Sequence, residues 1–156
     1  MFTGRLVGIY TTTEAAKPLE ASTELRAIEG VGLEGDRYAS KSGTYSDRDG
    51  PHRQVTLVER EVIANVNEES GVELGEDETR RNLVTEGVPL LHLIGRTFRI
   101  GDVELRGIKS CPPCVHLEKL TRPGVRAALE NRGGLRAEIV RGGVLRIGDE
   151  ITAVPG

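Results

Sequence analysis

Thr97-Phe98-Arg99-Ile100-Gly101-Asp102-Val103-Glu104-Leu105-Arg106-Gly107-Ile108 reads as two short strands about a Gly-Asp turn. Downstream of it, further strands are predicted over 135–140, 144–147 and 150–154, parted by Gly133-Gly134, Gly142-Gly143 and Gly148-Asp149. Upstream, the alternating and β-branched run 4–12, the run 24–28 and the buried run 54–58 read the same way. Strands this short and this closely spaced predict a mainly β fold, a barrel or a sandwich, with a few short helices attached. Two helices are expected. The first covers 60–66 and ends by Gly71; the second covers 123–131, with Gly133 just past its end as a stop signal.

Arg99-Ile100-Gly101-Asp102 recurs as Arg146-Ile147-Gly148-Asp149, but only four residues match and there is no third copy. Two hairpin turns of one type explain this better than an internal repeat. Between 30 and 51 periodicity disappears in a stretch rich in Gly, Ser and Asp. A loop of that length inside a small domain is more often functional than idle.

The chain has 156 residues, a net charge of −3, 20 glycines and no tryptophan. That length suits one domain spanning 1–156. A mildly acidic chain lacks the basic field that releases counterions from phosphate, so nucleic acid is not an expected partner. No apolar run approaches the roughly 18 residues of a membrane span, and the N-terminal residues lack a signal-peptide profile. The expectation is a soluble cytoplasmic protein with no membrane partner. Arginine outnumbers lysine 17 to 4. Arg is the better bidentate ligand for phosphate and carboxylate, although codon bias gives the same excess and is the favoured explanation.

Gly30-Val31-Gly32-Leu33-Glu34-Gly35 matches the dinucleotide fingerprint letter for letter. Its context fails, because no helical stripe follows Asp36-Arg37-Tyr38-Ala39-Ser40 and no second β-α-β unit appears downstream. The two cysteines lie together as Cys111-Pro112-Pro113-Cys114. A disulfide framework uses cysteines distant in sequence, so the pair points to chemistry or metal. Four readings stay open. As a zinc site it lacks ligands: two thiolates and His116 fall short of four unless His52 or His92 completes the set, and no zinc is expected. As a thioredoxin-like dithiol it has the right spacing but sits late in a β-rich chain. As a lone reactive thiol it needs an electropositive, partly exposed seat such as the start of a helix, which Val115-His116-Leu117-Glu118-Lys119-Leu120 could supply. As small core hydrophobes, both thiols would be inert.

Glu78-Thr79-Arg80-Arg81-Asn82-Leu83-Val84 sets two Arg and an Asn before an apolar run. Such a group can clamp a phosphate or carboxylate, though adjacent Arg residues more often lie on a solvated face. His52-Arg53-Gln54 has the same two readings.

Taken together, Gly32-Leu33-Glu34-Gly35-Asp36-Arg37-Tyr38, His52-Arg53-Gln54-Val55-Thr56-Leu57, Arg80-Arg81-Asn82-Leu83-Val84, Arg99-Ile100-Gly101-Asp102 and Cys111-Pro112-Pro113-Cys114 occur in the order seen in MOSC domains. These are named for the C-terminal domain of molybdenum cofactor sulfurase. The resemblance runs from about residue 4 to residue 151. It implies a β-barrel-like fold and a cysteine that handles sulfur or ligates molybdenum. Family members are described as sulfur carriers fed by pyridoxal-phosphate cysteine desulfurases, or as molybdopterin enzymes that reduce N-hydroxylated compounds. In the family the working cysteine commonly follows a proline, which maps it onto Cys114; Cys111 is an additional residue seen in a short, stand-alone branch. Residues 1–156 leave no room for a ferredoxin or desulfurase domain beside this one, so the expectation is that a sulfur or electron donor is a separate protein.

The residue chemistry agrees. Molybdenum is thiophilic, and a pterin phosphate needs Arg and Asn donors beside close-approaching glycine backbone. The candidate molybdenum-cofactor site is therefore Gly35, Asp36, Arg37, His52, Arg53, Arg80, Arg81 and Asn82, with Cys114 as the molybdenum ligand and Cys111 as its neighbour. Two other classes remain as rivals: a CxxC thiol-disulfide oxidoreductase, and a non-catalytic β-barrel interaction module.

Overall fold

A computed structural model describes residues 2–14, 16–40 and 54–155. Eleven strands and four short helices follow one another as β1 (Gly4–Thr11), β2 (Glu20–Ala21), β3 (Glu24–Ile28), β4 (Gly32–Leu33), α1 (Arg37–Ser40), β5 (Val55–Glu59), α2 (Arg60–Ser70), β6 (Leu83–Glu86), β7 (Thr97–Ile100), β8 (Val103–Ser110), α3 (Val115–Leu120), α4 (Val125–Ala128), β9 (Leu135–Arg141), β10 (Gly143–Arg146) and β11 (Glu150–Ala153).

The expected choice between sandwich and barrel falls to the barrel. Strands run in the order β11-β7-β8-β9-β5-β6-β1, and β1 pairs back onto β11 through Gly4 and Ile151, closing a ring of seven. Closure removes exposed sheet edges. Strand β2 is a short branch on β1, and β10-β3-β4 form a separate small sheet. Leu6, Leu57, Leu83, Phe98, Leu105 and Leu135 fill the barrel interior. Only β5 and β6 run parallel among the paired strands, and α2 lies in the connection between them. Strand β5 is consequently covered on both sides: Leu57 faces the barrel core, and Val58 packs with Ile63 and Val84 in a cluster on the α2 side. Helix α2 runs on to Ser70 and stops at Gly71, whose left-handed φ of 70° lets its N–H reach the Asn67 carbonyl.

The predicted strand positions are all occupied, with ends shifted by one or two residues. The helices differ more. The second covers only Val125–Ala128, because Gly124 at φ 95° delays its start and Asn131 at φ 64° turns the chain back. Gly133 is not its stop signal but a close-approach position: a Cβ there would run into the Cys111 carbonyl and lie 2.9 Å from Pro113 Cδ. The aperiodic stretch after residue 30 holds β4 and the one-turn α1, both too short to show a period. The two Arg-Ile-Gly-Asp turns meet at one end of the barrel, where Gly101 N–H donates to the Glu150 carbonyl and β7 pairs with β11.

At Gly107, in the middle of β8, the backbone of Leu93 and Ile94 lies where a side chain would be. A Cβ would overlap the Leu93 carbonyl oxygen and sit 2.7 Å from its carbon. Gly107 N–H and carbonyl also bond to Arg96 and Gly95, so the segment has little room to retreat. Gly107→Ala is expected to destabilise the fold by about 2–3 kcal/mol, the upper part of the overpacking range. Urea unfolding measures it, and a loss under about 0.5 kcal/mol would show that the turn at Leu93 yields freely.

Candidate functional site

The cysteine loop leaves the barrel at the end of β8. Cys111 N–H donates to the Gly134 carbonyl at 2.8 Å, continuing the β8–β9 ladder by one bond. Cys111 is consequently buried, with 1% of its surface exposed, whereas Cys114 is half-buried; both thiols are free. Two prolines then carry the chain away from the sheet. Proline donates no backbone N–H and fixes its own φ, so this span leaves the ladder without abandoning a donor. Cys114 occupies the N-cap position of α3 in an extended conformation (φ −129°, ψ 170°), and its sulfur makes no capping bond. Its side chain packs at the margin of an apolar cluster built from α2, α3 and α4, around Val66, Leu117 and Leu129.

Arg81 holds this loop down. It is 8% exposed; its Nε donates to the Gly133 carbonyl at 2.7 Å, and one terminal nitrogen to the carbonyls of Cys111 and Pro112 at 2.9 and 3.3 Å. Asn82 is fully buried and joins three strands. Its Oδ1 accepts from the N–H and hydroxyl of Thr56, and its Nδ2 donates to the Tyr10 carbonyl. Asp36 is likewise buried. It caps α1 by accepting from Tyr38 N–H, and it also accepts from Thr12 N–H and Arg37. Burial pushes the Asp36 carboxyl above its ordinary range despite Arg37 and these donors. In these three residues the polar side-chain atoms form the walls of the site.

Arg37 is buried as well, and Arg80 only partly so. Arg37 pairs with Asp36 at 3.3 Å, donates to the Arg80 carbonyl and lies 4.5 Å above the Tyr38 ring. Arg80 holds a left-handed backbone (φ 59°) after the 3₁₀ turn Asp77–Thr79 and donates to the Lys17 carbonyl at 2.7 Å. Burial, and then the charge of Arg37, lower the Arg80 pKa. Gly35 turns at φ 80° with no atom within 4 Å of where a Cβ would stand, which leaves its backbone open to approach. His52 and Arg53 lie outside the described residues.

One residue not singled out from the sequence completes the cluster. Arg136, in β9, sits opposite Thr56 of β5 and Lys109 of β8, one residue beyond Leu135, the partner of Ser110. Leu135 and Ala137 face the barrel interior, so alternation turns Arg136 outward, towards the cysteine loop. Cys111, Tyr38 and Cys114 are all near enough to act on its charge. Burial opposes that charge, but the two sulfurs and Tyr38 outweigh it and the pKa rises. Arg136 escaped notice because one arginine at an outward strand position resembles any solvated one.

Of the other histidines, His116 lies on α3. His92 lines a separate groove with Phe2, Pro89 and Arg96. Among the described residues no three His, Cys, Asp or Glu side chains gather as a metal site. No helix of the described residues is long and apolar enough to cross a membrane.

A closed β-barrel carrying an Arg-lined, half-exposed thiol defines the class. The MOSC domain model matches residues 44–152, and the chain belongs to that family. The match begins beyond Gly35-Asp36-Arg37. Among solved structures, the chain is similar to the YuaD protein from Bacillus subtilis, with a TM-score of 0.78 at 20% identity, covering 97% of each chain. It is also similar to YiiM from Escherichia coli (TM-score 0.68, 21% identity, 97% of this chain and 70% of that one). YiiM from Geobacillus stearothermophilus gives a TM-score of 0.72 at 13% identity, covering 97% of this chain and 75% of that one. At these identities the likeness is one of fold. No curated protein matches the chain.

Proposed function

We propose that this chain binds the molybdenum cofactor or carries sulfur through the thiol of Cys114, and that a separate protein completes the cycle. For sulfur loading that protein is a pyridoxal-phosphate cysteine desulfurase. For the molybdoenzyme version it is an electron-transfer protein, and the reaction class is reduction of N-hydroxylated compounds. The observation that carries the reading is the unequal seating of the two thiols: Cys111 is closed off, while Cys114 is half-exposed and near enough to Arg136 to act on its charge.

The donor set fits the cofactor's chemistry. A soft sulfur is a suitable molybdenum ligand, the guanidinium groups suit an anionic cofactor, and Gly35 leaves backbone open to it. Two-electron redox chemistry would come from the bound group. The chain's own part is to hold it. Cys114 supplies a ligand; Arg37, Arg80 and Arg136 offset negative charge; Arg81, Asn82 and Asp36 keep the walls in place.

The test has two arms. Purified protein is incubated with molybdenum-loaded molybdopterin, freed of excess, and analysed for bound metal by mass spectrometry. A parallel sample receives cysteine and a desulfurase, and its sulfane sulfur is counted. Stoichiometric molybdenum supports the cofactor version, and stoichiometric sulfur the carrier version. Failure in both arms overturns the proposal. Slow, substoichiometric labelling of the native protein by a thiol reagent would instead favour a plain interaction module with inert thiols.

A further inference from the structure

Where β11 ends and β1 and β7 begin, two grooves of about 520 and 580 Å³ meet, and neither shares a residue with the thiol site. The first has apolar walls, Phe2, Pro89, Leu93 and Ala153, and carries His92 and Arg96. The second holds Arg96 and Ala153 again, with Arg106, Val154 and Pro155. Through the two shared residues they form one continuous trough. Leu91, on the same 3₁₀ turn as His92, and Ile94, just after it, are both exposed.

Among the described residues, every ionisable side chain that lines the trough is basic. The whole chain has a net charge of −3, so this is a local concentration. Other arginines find carboxylates: Arg99 pairs with Glu104 at 3.0 Å, and Arg60, Arg122 and Arg132 pair likewise. Arg96 and Arg106 do not. Among the described residues neither guanidinium has a hydrogen bond or ion pair, although Glu138 is the cross-strand neighbour of Arg106. Their backbone, in contrast, is pinned. Arg96 N–H donates to the Leu93 carbonyl and its carbonyl accepts from Gly107 N–H, both at 3.0 Å, while Gly95 N–H donates to the Gly107 carbonyl at 2.8 Å. A ligand meets two cations on fixed backbone, so only the side-chain ends remain to be ordered.

We propose that this trough docks a partner protein, gripping an extended segment in which carboxylates stand next to apolar side chains. A carboxylate is the group that an arginine fork takes bidentately, and two along one segment answer Arg96 and Arg106. A small-molecule pocket encloses most of its ligand, whereas a trough open along the surface, with apolar contacts beside arginine, suits a chain. An anionic bilayer offers similar charge, but over its whole area it repels a chain of net charge −3. A short segment feels mainly the charges within a Debye length, about 8–10 Å. The proposal does not depend on the reading of Cys114.

The probe is a short capped peptide of leucine and glutamate in alternation, titrated into the isotopically labelled full chain and followed by amide chemical shifts. Saturable shifts are expected at Gly95, Arg96, Thr97 and Ala153. Arg96→Gln is expected to weaken binding about fivefold and Arg106→Gln about threefold, and added salt weakens it in the native protein. Arg126→Gln, in a separate groove with Pro112 and Pro113, is the control and leaves the affinity unchanged. Two further peptides separate charge from apolar contact: one with glutamine in place of glutamate, and a polyglutamate of equal charge. Each is expected to bind about fivefold more weakly or worse. Equal binding by either overturns the proposal, as do shifts that are absent or lie elsewhere, and an affinity unchanged in both arginine variants. Sedimentation with phosphatidylglycerol vesicles, or concentration-dependent self-association, that Arg96→Gln abolishes gives the trough to a lipid surface or to a second copy, and overturns the proposal likewise.

Discussion

Cys114→Ala is expected to abolish molybdenum retention and sulfur loading while the barrel remains folded. The sulfur is the atom that would bind or carry, and no other thiol can replace it. Cys111 is 1% exposed and its backbone is bonded into the β8–β9 ladder, so its sulfur does not reach the surface without opening the barrel end. The cost to stability is small: Cys114 lies at the margin of the cluster around Val66, Leu117 and Leu129, and losing a half-buried sulfur there costs about 1 kcal/mol or less. Cys111→Ala is expected to show the reverse balance. It costs about 1 kcal/mol for a small core void and leaves loading nearly intact. Metal and sulfane-sulfur content of both variants, with urea midpoints alongside, checks the contrast. Equal loss of loading in the two would favour a dithiol oxidoreductase, and loss with Cys111→Ala alone would reverse the assignment.

This contrast was only partly legible in the sequence. The residues Cys111-Pro112-Pro113-Cys114 show two thiols close together, and the proline before Cys114 hints at an order. Which one is buried depends on Gly134, a partner more than twenty residues away, and on the register of β8 against β9. Barrel strands such as Thr97–Ile100 were readable because their period is local and Gly-Asp turns bound them. The segment around α1 was not, because tertiary bonds hold it: Arg37 N–H to the Thr12 carbonyl, and Thr12 N–H to Asp36. Sequence likewise presents Arg80-Arg81-Asn82 as three equivalent donors. The fold separates them by backbone direction. Arg81 and Asn82 turn their polar atoms to the protein, and Arg80, in its left-handed conformation, lies with Arg37 and Tyr38.

Arg81→Ala is expected to produce the largest loss of stability of any substitution at the site, about 3–5 kcal/mol. Two well-formed, charge-assisted bonds disappear, to the Gly133 and Cys111 carbonyls, each worth roughly 1.5–3 kcal/mol, and a weaker third to Pro112 goes with them. Losing the arginine's own desolvation cost returns part of this, which is why the upper end of the sum is not reached. The Cys111 carbonyl left behind faces Gly133, whose missing side chain is what allows the loop to press so closely on the turn before β9. No neighbouring side chain can step into the gap without displacing that turn, so water must enter and the loop loosens. Arg81→Lys recovers little, because an ammonium lacks the planar fork that serves carbonyls on two chain segments at once. The loosening has its own signature beside the urea midpoint: Cys111, protected in the native protein, becomes open to thiol reagents at a rate approaching that of Cys114. A variant within about 1 kcal/mol of the native protein, with Cys111 still protected, would show that Gly133 and the prolines hold the loop without the guanidinium. If the loop does loosen, Cys114 loses its place beside Arg136, and loading falls even though Arg81 touches neither sulfur nor ligand.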